Sequence, residues 1–400
     1  MTRLKDMLGE IAAQGPAIGD VADRAIGGAR RHRRRLLLLP ALAVVASIAV
    51  AVALARLPTT DKDMVPAMRP EVTKTITLPS RTPAALPSGA VPPALLAYTS
   101  PCELVPEPKW RDCAQWRLLT VDGRHFRVPD AIAPEIRNGM VENDGALAIA
   151  PDGRMIAYFD EAGRLLVHDL ATGEVRTAFT VERAVLSTVT AHIAWAPDAR
   201  RLAVGFEPLD DARPARQPAM LVDLATTRAT ELPGHCCVLG LGAGDALIPM
   251  YDAYANTMGS GHLRLVADDG TVRKQVSMAG VELQSVYAQS PGNTAMSPDG
   301  RRLAALIWPQ GPGRVHERAP DLRIIDAHQG SMGEGRSYPQ FRQAMAEARL
   351  MGWRDSSTVL VGMMWERLGI YAVRTDTGEV DQLIRFTNRP DRLSVATALL

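Results

Sequence analysis

The residues best suited by type to do chemistry are scattered along this chain, and the spacings that would join them into a catalytic set are missing. Gly259-Ser260-Gly261-His262 puts a hydroxyl beside an imidazole, but glycine on both sides of the serine makes a turn rather than a held nucleophile. There is no Gly-x-Ser-x-Gly elbow, His-Glu-x-x-His zinc pair, phosphate loop or Gly-x-Gly-x-x-Gly dinucleotide signature in the 400 residues. His235-Cys236-Cys237 offers metal-ligand types without a fourth ligand or the usual spacing, so no metal or cofactor is expected. Neighbouring strand residues point to opposite faces, which makes Cys236 and Cys237 two unbridged thiols in preference to a strained vicinal disulfide. Carboxylates are plentiful in turns, where bonding to the backbone already accounts for them. The candidate binding residues are Asp210, Asp211, Arg213, Tyr251, Tyr254, Arg314 and His316, in or beside long loops. Paired-acid chemistry at a shared axis leaves no linear spacing to read.

The elements that must hold these residues are strands, in a unit that recurs. Its first half reads Leu147-Ala148-Ile149-Ala150-Pro151-Asp152-Gly153-Arg154, again Ile193-Ala194-Trp195-Ala196-Pro197-Asp198-Ala199-Arg200, and again Thr294-Ala295-Met296-Ser297-Pro298-Asp299-Gly300-Arg301. Each is strand, tight turn, strand: Pro presets one dihedral, Asp bonds back to the backbone and Gly accepts the positive dihedral. The second half is a hairpin that occurs six times, turning at Asp122-Gly123, Ala171-Thr172-Gly173, Ala225-Thr226-Thr227, Asp268-Asp269-Gly270, Gln329-Gly330 and Asp376-Thr377-Gly378. Six hairpins in register with the preceding turn predict six blades.

At these residues the chain resembles the WD-repeat and TolB-type β-propellers. The Ser/Ala-Pro-Asp-Gly turns, Asp169-Leu170-Ala171-Thr172-Gly173-Glu174 and the Gly234-His235 pair carry the resemblance, over about residues 95–400. It departs where a Trp-Asp pair is usual, since this chain has His168-Asp169 and Val222-Asp223. The implied fold is an all-β, six-bladed β-propeller. Its first blade lacks an innermost strand while Leu393 to Leu400 is left unpaired at the other end, so the final run is expected to close the ring.

In a four-stranded meander the connections alternate between two ends, and the recurrent short turns all fall on one. The other end receives the long excursions, Pro101 to Asp112, Glu207 to Pro218, Asp252 to Gly261 and Gln310 to Ala319. Gly330 to Ala348 joins them, with a short helix expected over Pro339 to Leu350. Cys102 and Cys113 flank one such connection, and an exported compartment favours a disulfide between them over two reduced thiols.

Export is read from the amino-terminal part. Twenty uncharged residues, Leu36 to Ala55, follow the cluster Arg30, Arg31, His32, Arg33, Arg34, Arg35, a length that spans a bilayer as a helix with its basic flank in the cytoplasm. A cleaved signal ending at Ala53-Leu54-Ala55 is the competing reading, and the length of the run and of the tail before it argues against cleavage. The expected organisation is a cytoplasmic tail (1–35), a transmembrane helix (36–57), a Pro/Thr/Ala-rich linker (58–93) and the propeller (94–400). The linker reads as a semi-rigid spacer reaching on the order of 100 Å from the bilayer. Residues 1–35 hold eight Lys or Arg against four Asp or Glu; with Arg56 added, the overall +1 leaves the outer portion at about −4. That sign disfavours nucleic acid as a partner.

The function expected is that of a single-pass plasma-membrane protein of bacterial type, with an extracytoplasmic propeller that binds a protein, peptide or envelope glycan without chemistry. Two alternatives stay open: a transmembrane sensor signalling through its tail, and a hydrolase with carboxylates at the propeller funnel.

Overall fold

A computed structural model describes residues 74–99, 114–133, 135–137, 140–143, 146–208, 217–232, 238–243, 248–251, 262–277, 294–307, 321–329, 336–337, 348–363, 367–390 and 392–400. Residues 1–35 and 36–57 lie outside these, as do all four cysteines, including the expected Cys102–Cys113 pair. Among the described residues no helix is long and apolar enough to cross a bilayer.

The expected strand units form six blades in chain order. Blade one holds Ala94–Tyr98, Arg117–Thr120 and His125–Arg127; blade two holds Leu147–Ile149, Met155–Phe159, Arg164–Asp169 and Val175–Thr180. Blade three runs through Val189–Trp195, Arg201–Pro208, Met220–Asp223 and Arg228–Glu231. Blade four has Ile248–Tyr251, His262–Val266 and Val272–Ser277, with Val238 bridging Met250 on its inner side. Blade five comprises Thr294–Met296, Arg302–Ile307, Asp321–Asp326 and Arg336–Ser337, and blade six Ala348–Trp353, Thr358–Met363, Gly369–Arg374 and Val380–Phe386. Ala348–Leu350, the end of the stretch expected to be helical, begins the inner strand of blade six instead. A small hairpin, Glu135–Arg137 with Met140–Asn143, stands between blades one and two.

The turns take the dihedrals their residues suggest. Gly153 and Gly300 have φ of 73° and 69°, and at the matching place Ala199 is held at 55° without glycine's freedom. The hairpin turns behave alike: Gly173 and Gly378 sit at 79°, whereas Thr227 takes 55°.

Ring closure follows the sequence reading. Leu393–Val395 pairs antiparallel with Ala94–Tyr98, Val395 opposite Leu96 and Leu393 opposite Tyr98, and becomes the innermost strand of blade one. The chain then makes a short 3-10 turn, Thr397–Leu399, from which the Ala398 amide donates to Pro151 O of blade two at 3.0 Å.

The amino-terminal stretch differs from the spacer expected over 58–93, because strand pairing with the blades begins at Lys74. Lys74–Ile76 lies parallel on Val380–Phe386 as a fifth, outermost strand of blade six. The Asn388 side chain then clamps Leu78, accepting from its amide at 2.8 Å and donating to its carbonyl at 2.9 Å. Further along, Leu86 and Ala84 bond to the two backbone groups of Arg127 in blade one, and the Val91 amide donates to Leu170 O in blade two at 2.7 Å. The prolines of this strap remain exposed or half-buried while Ile76, Leu78 and Val91 are buried. Composition alone therefore suggested a free spacer, and three apolar side chains decide otherwise. The packed core lies between neighbouring blades; the one between blades six and one includes Ile76, Leu78, Tyr98, Leu360, Ile384 and Val395, so the strap and the closing strand are both built into it.

Candidate functional site

The innermost strands converge on an axial cavity of about 380 Å³. Every blade contributes to its wall: Val395 from the first, Ile149 from the second, His192, Ile193 and Trp195 from the third, Leu239 from the fourth, Met296 from the fifth, and Met351 and Trp353 from the sixth. These strands are edges, and an open edge would leave backbone groups without partners. Side chains of the neighbouring blade fill that need. The Ile149 amide donates to Ser394 Oγ at 3.1 Å, and Thr294 Oγ1 donates to Leu239 O at 3.4 Å. Trp195 Nε1 donates to Ala148 O at 3.2 Å, and Trp353 Nε1 to Ala295 O at 2.8 Å. Arg302 stacks over the Trp353 ring at 5.2 Å and fixes its plane. In blades two, four and five the cavity thus presents side chains in front of strand-edge groups that already have partners.

Two ionisable side chains stand among the described lining residues. His192 is held from behind by Glu207, Nε2 to Oε2 at 3.1 Å, with both side chains largely shielded from solvent. Arg354 sits at the short-turn mouth beside Pro151, Pro197 and Pro298. Its backbone amide closes the turn onto Thr358 O at 2.9 Å, while among the described residues its guanidinium pairs with no carboxylate.

No described lining residue is Asp or Glu. Two turn carboxylates that adjoin lining residues in sequence, Asp299 after Pro298 and Asp355 after Arg354, are already engaged. Asp299 accepts from Ser297 Oγ at 2.6 Å and from the Arg301 amide at 3.1 Å. Asp355 accepts from the Ser357 amide at 2.8 Å and its hydroxyl at 3.0 Å. Burial raises both carboxyls, and these hydrogen bonds outweigh it, so each lies below the ordinary carboxylate value. A general acid for glycoside cleavage needs the opposite shift. Among the described residues no group of three or more His, Cys, Asp or Glu could hold a metal ion.

Of the sequence candidates, Asp210, Asp211, Arg213, Tyr254, Arg314 and His316 lie outside the described residues. Tyr251 ends the Ile248–Tyr251 strand, its backbone opposite Leu263. The axial set was not singled out in the sequence, although the inner-strand repeats containing Trp195 and Met296 were aligned. The available signal was position, because every first-half repeat is an inner strand and its exposed edge must face the axis.

The fold and this closed ring define a six-bladed β-propeller. No family model matches the chain, and no curated protein matches it. Among solved structures it is similar to an oligogalacturonate lyase in complex with manganese, at 16% identity over 68% of this chain and 70% of that one, with a TM-score of 0.41. An oligogalacturonate lyase from Vibrio parahaemolyticus gives 14% identity over 74% and 81%, with a TM-score of 0.40. The acylaminoacyl peptidase of Pyrococcus horikoshii gives 16% over 67% of this chain and 41% of that one, with a TM-score of 0.39. At these identities the likeness concerns the fold alone.

Proposed function

We propose that this protein is a membrane-tethered, extracytoplasmic propeller that holds a peptide or protein ligand at its axis without transforming it. The carrying observation is the cavity of about 380 Å³, walled by Trp, Met, Ile, Leu and Val side chains on a preorganised ring, with no acid among its described lining residues. The apolar run 36–55 behind its arginine cluster supports the tether and its orientation. The Pro-Asp-Gly and Thr-Gly turns support a place among the WD-repeat and TolB-type propellers, where one scaffold hosts many ligands. Because pairing with the blades starts at Lys74, residues 74–93 of the expected spacer belong to the propeller. The test is cross-linking capture on the full chain in intact cells. A peptide or protein recovered chemically unchanged supports a binding platform; cleaved products, or a glycan alone, would replace it with one of the other readings.

A further inference from the structure

The ligand class can be narrowed, on the assumption that the axial cavity is the binding site. Ser394, Trp195, Thr294 and Trp353 engage inner-edge backbone groups of Ile149, Ala148, Leu239 and Ala295, which obstructs strand addition at blades two, four and five. Among the described lining residues a ligand meets mostly apolar side chains, His192 with its Glu207 partner, and one cation, Arg354, at the short-turn mouth. Three prolines around that mouth offer ring carbons and no amide donor. The aspartates in the turns there are bound to their own backbones, each beside an arginine: Asp152 with Arg154, Asp198 with Arg200, Asp299 with Arg301. Arg354 is the charged residue that lines the mouth itself.

We infer that the cavity receives the carboxyl-terminal residue of a polypeptide, an apolar side chain entering between the two tryptophans while the terminal carboxylate meets Arg354. The match is geometric and electrostatic. A side chain the size of Leu or Phe fits the volume, and the carboxylate it carries at its own α-carbon stays at the mouth where a guanidinium takes it with two parallel bonds. An acidic side chain in mid-chain lacks this pairing of apolar group and carboxylate on one residue. A free amino terminus would meet a like charge.

Fluorescein-labelled peptides ending in Leu or Phe, made as free acids and as amides, are titrated against the full chain by anisotropy. The free acids are expected to bind about tenfold or more tighter than the amides, as loss of a charge-assisted bond implies. Arg354→Gln, a change at an exposed side chain, brings the acids down to the amide level and leaves the amides unchanged. Met351→Glu, which puts a charge into the apolar wall, weakens both. Equal binding of acid and amide by the wild-type chain overturns the inference, as does equal weakening of both by Arg354→Gln. Failure of every peptide to bind also overturns it, while the capture experiment separately decides whether the propeller is a binding platform at all.

Discussion

Trp195 and Trp353 occupy the same place in blades three and six, across the axis from one another, and each donates its indole N–H to an alanine carbonyl of the preceding blade. The acceptors, Ala148 O at 3.2 Å and Ala295 O at 2.8 Å, are themselves at equivalent positions in blades two and five. Two of the inter-blade joints are therefore built alike. Each tryptophan both lines the cavity and satisfies a strand edge that would otherwise be bare. Trp353→Phe keeps the ring and leaves Ala295 O without a partner in a buried site, which should cost about 1–3 kcal/mol. Trp195 is less buried, so Trp195→Phe should cost less. Urea midpoints at unchanged m-value give the comparison.

Ala199 and Thr227 hold a φ of 55° where equivalent turns use glycine. Left-handed backbone costs a residue with a Cβ about 1 kcal/mol, and a β-branched side chain is least suited to it. Ala199→Gly and Thr227→Gly should each raise the melting temperature. Gly153→Ala should lower it, because the new Cβ meets the Ala94 carbonyl and the Leu399 side chain in the closing segment.

These positions show why most of the architecture was readable and the axis was not. The Pro-Asp-Gly turns and Asp-led hairpins encode local geometry, so they announced the blades even where Ala199 and Thr227 had replaced the glycine. Closure by Leu393–Val395 was readable from an unmatched strand at each end of the chain. The strap was not, since Pro79, Pro83 and Pro87 dominate its composition while its attachment rests on Ile76, Leu78, Val91 and one side chain far along the chain, Asn388. The cavity depends on which strand edges face inward, a property of the closed ring that no single repeat contains.

Asn388→Ala removes both bonds to Leu78 and should loosen the strap by about 1–2 kcal/mol. Hydrogen exchange at the Leu78 amide should accelerate, while the Leu86 amide, bonded to Arg127 O at 2.8 Å, stays protected. Acceleration at both would mean that the strap detaches as one piece.

Tyr98 Oη and His125 Nδ1 lie 2.8 Å apart beside Arg117 in blade one. Burial, with the Arg117 charge as the smaller cause, holds His125 below its ordinary value, so the native state takes up fewer protons than the unfolded chain. That contribution is present above pH about 6.5 and is lost as pH falls through the lowered folded value. His168, shifted down by burial, acts in the same window. Burial pushes Tyr98 up to about 12, so its share persists below pH ~10 and is lost as pH rises from there toward the folded value. Denaturation midpoints should fall from pH 8 to pH 5, and His125→Phe should flatten part of that slope, with His168 supplying the rest.

The claim on which the functional account turns is that a ligand sits on the axis. A photo-cross-linking residue placed at Met351 on the cavity wall, and separately at Val175, 47% exposed on the outer strand of blade two, puts this to a direct test in cells making the full chain. The account predicts a discrete adduct from Met351 and none from Val175. Adducts from Val175 with none from Met351 would place recognition on the outer face and contradict it.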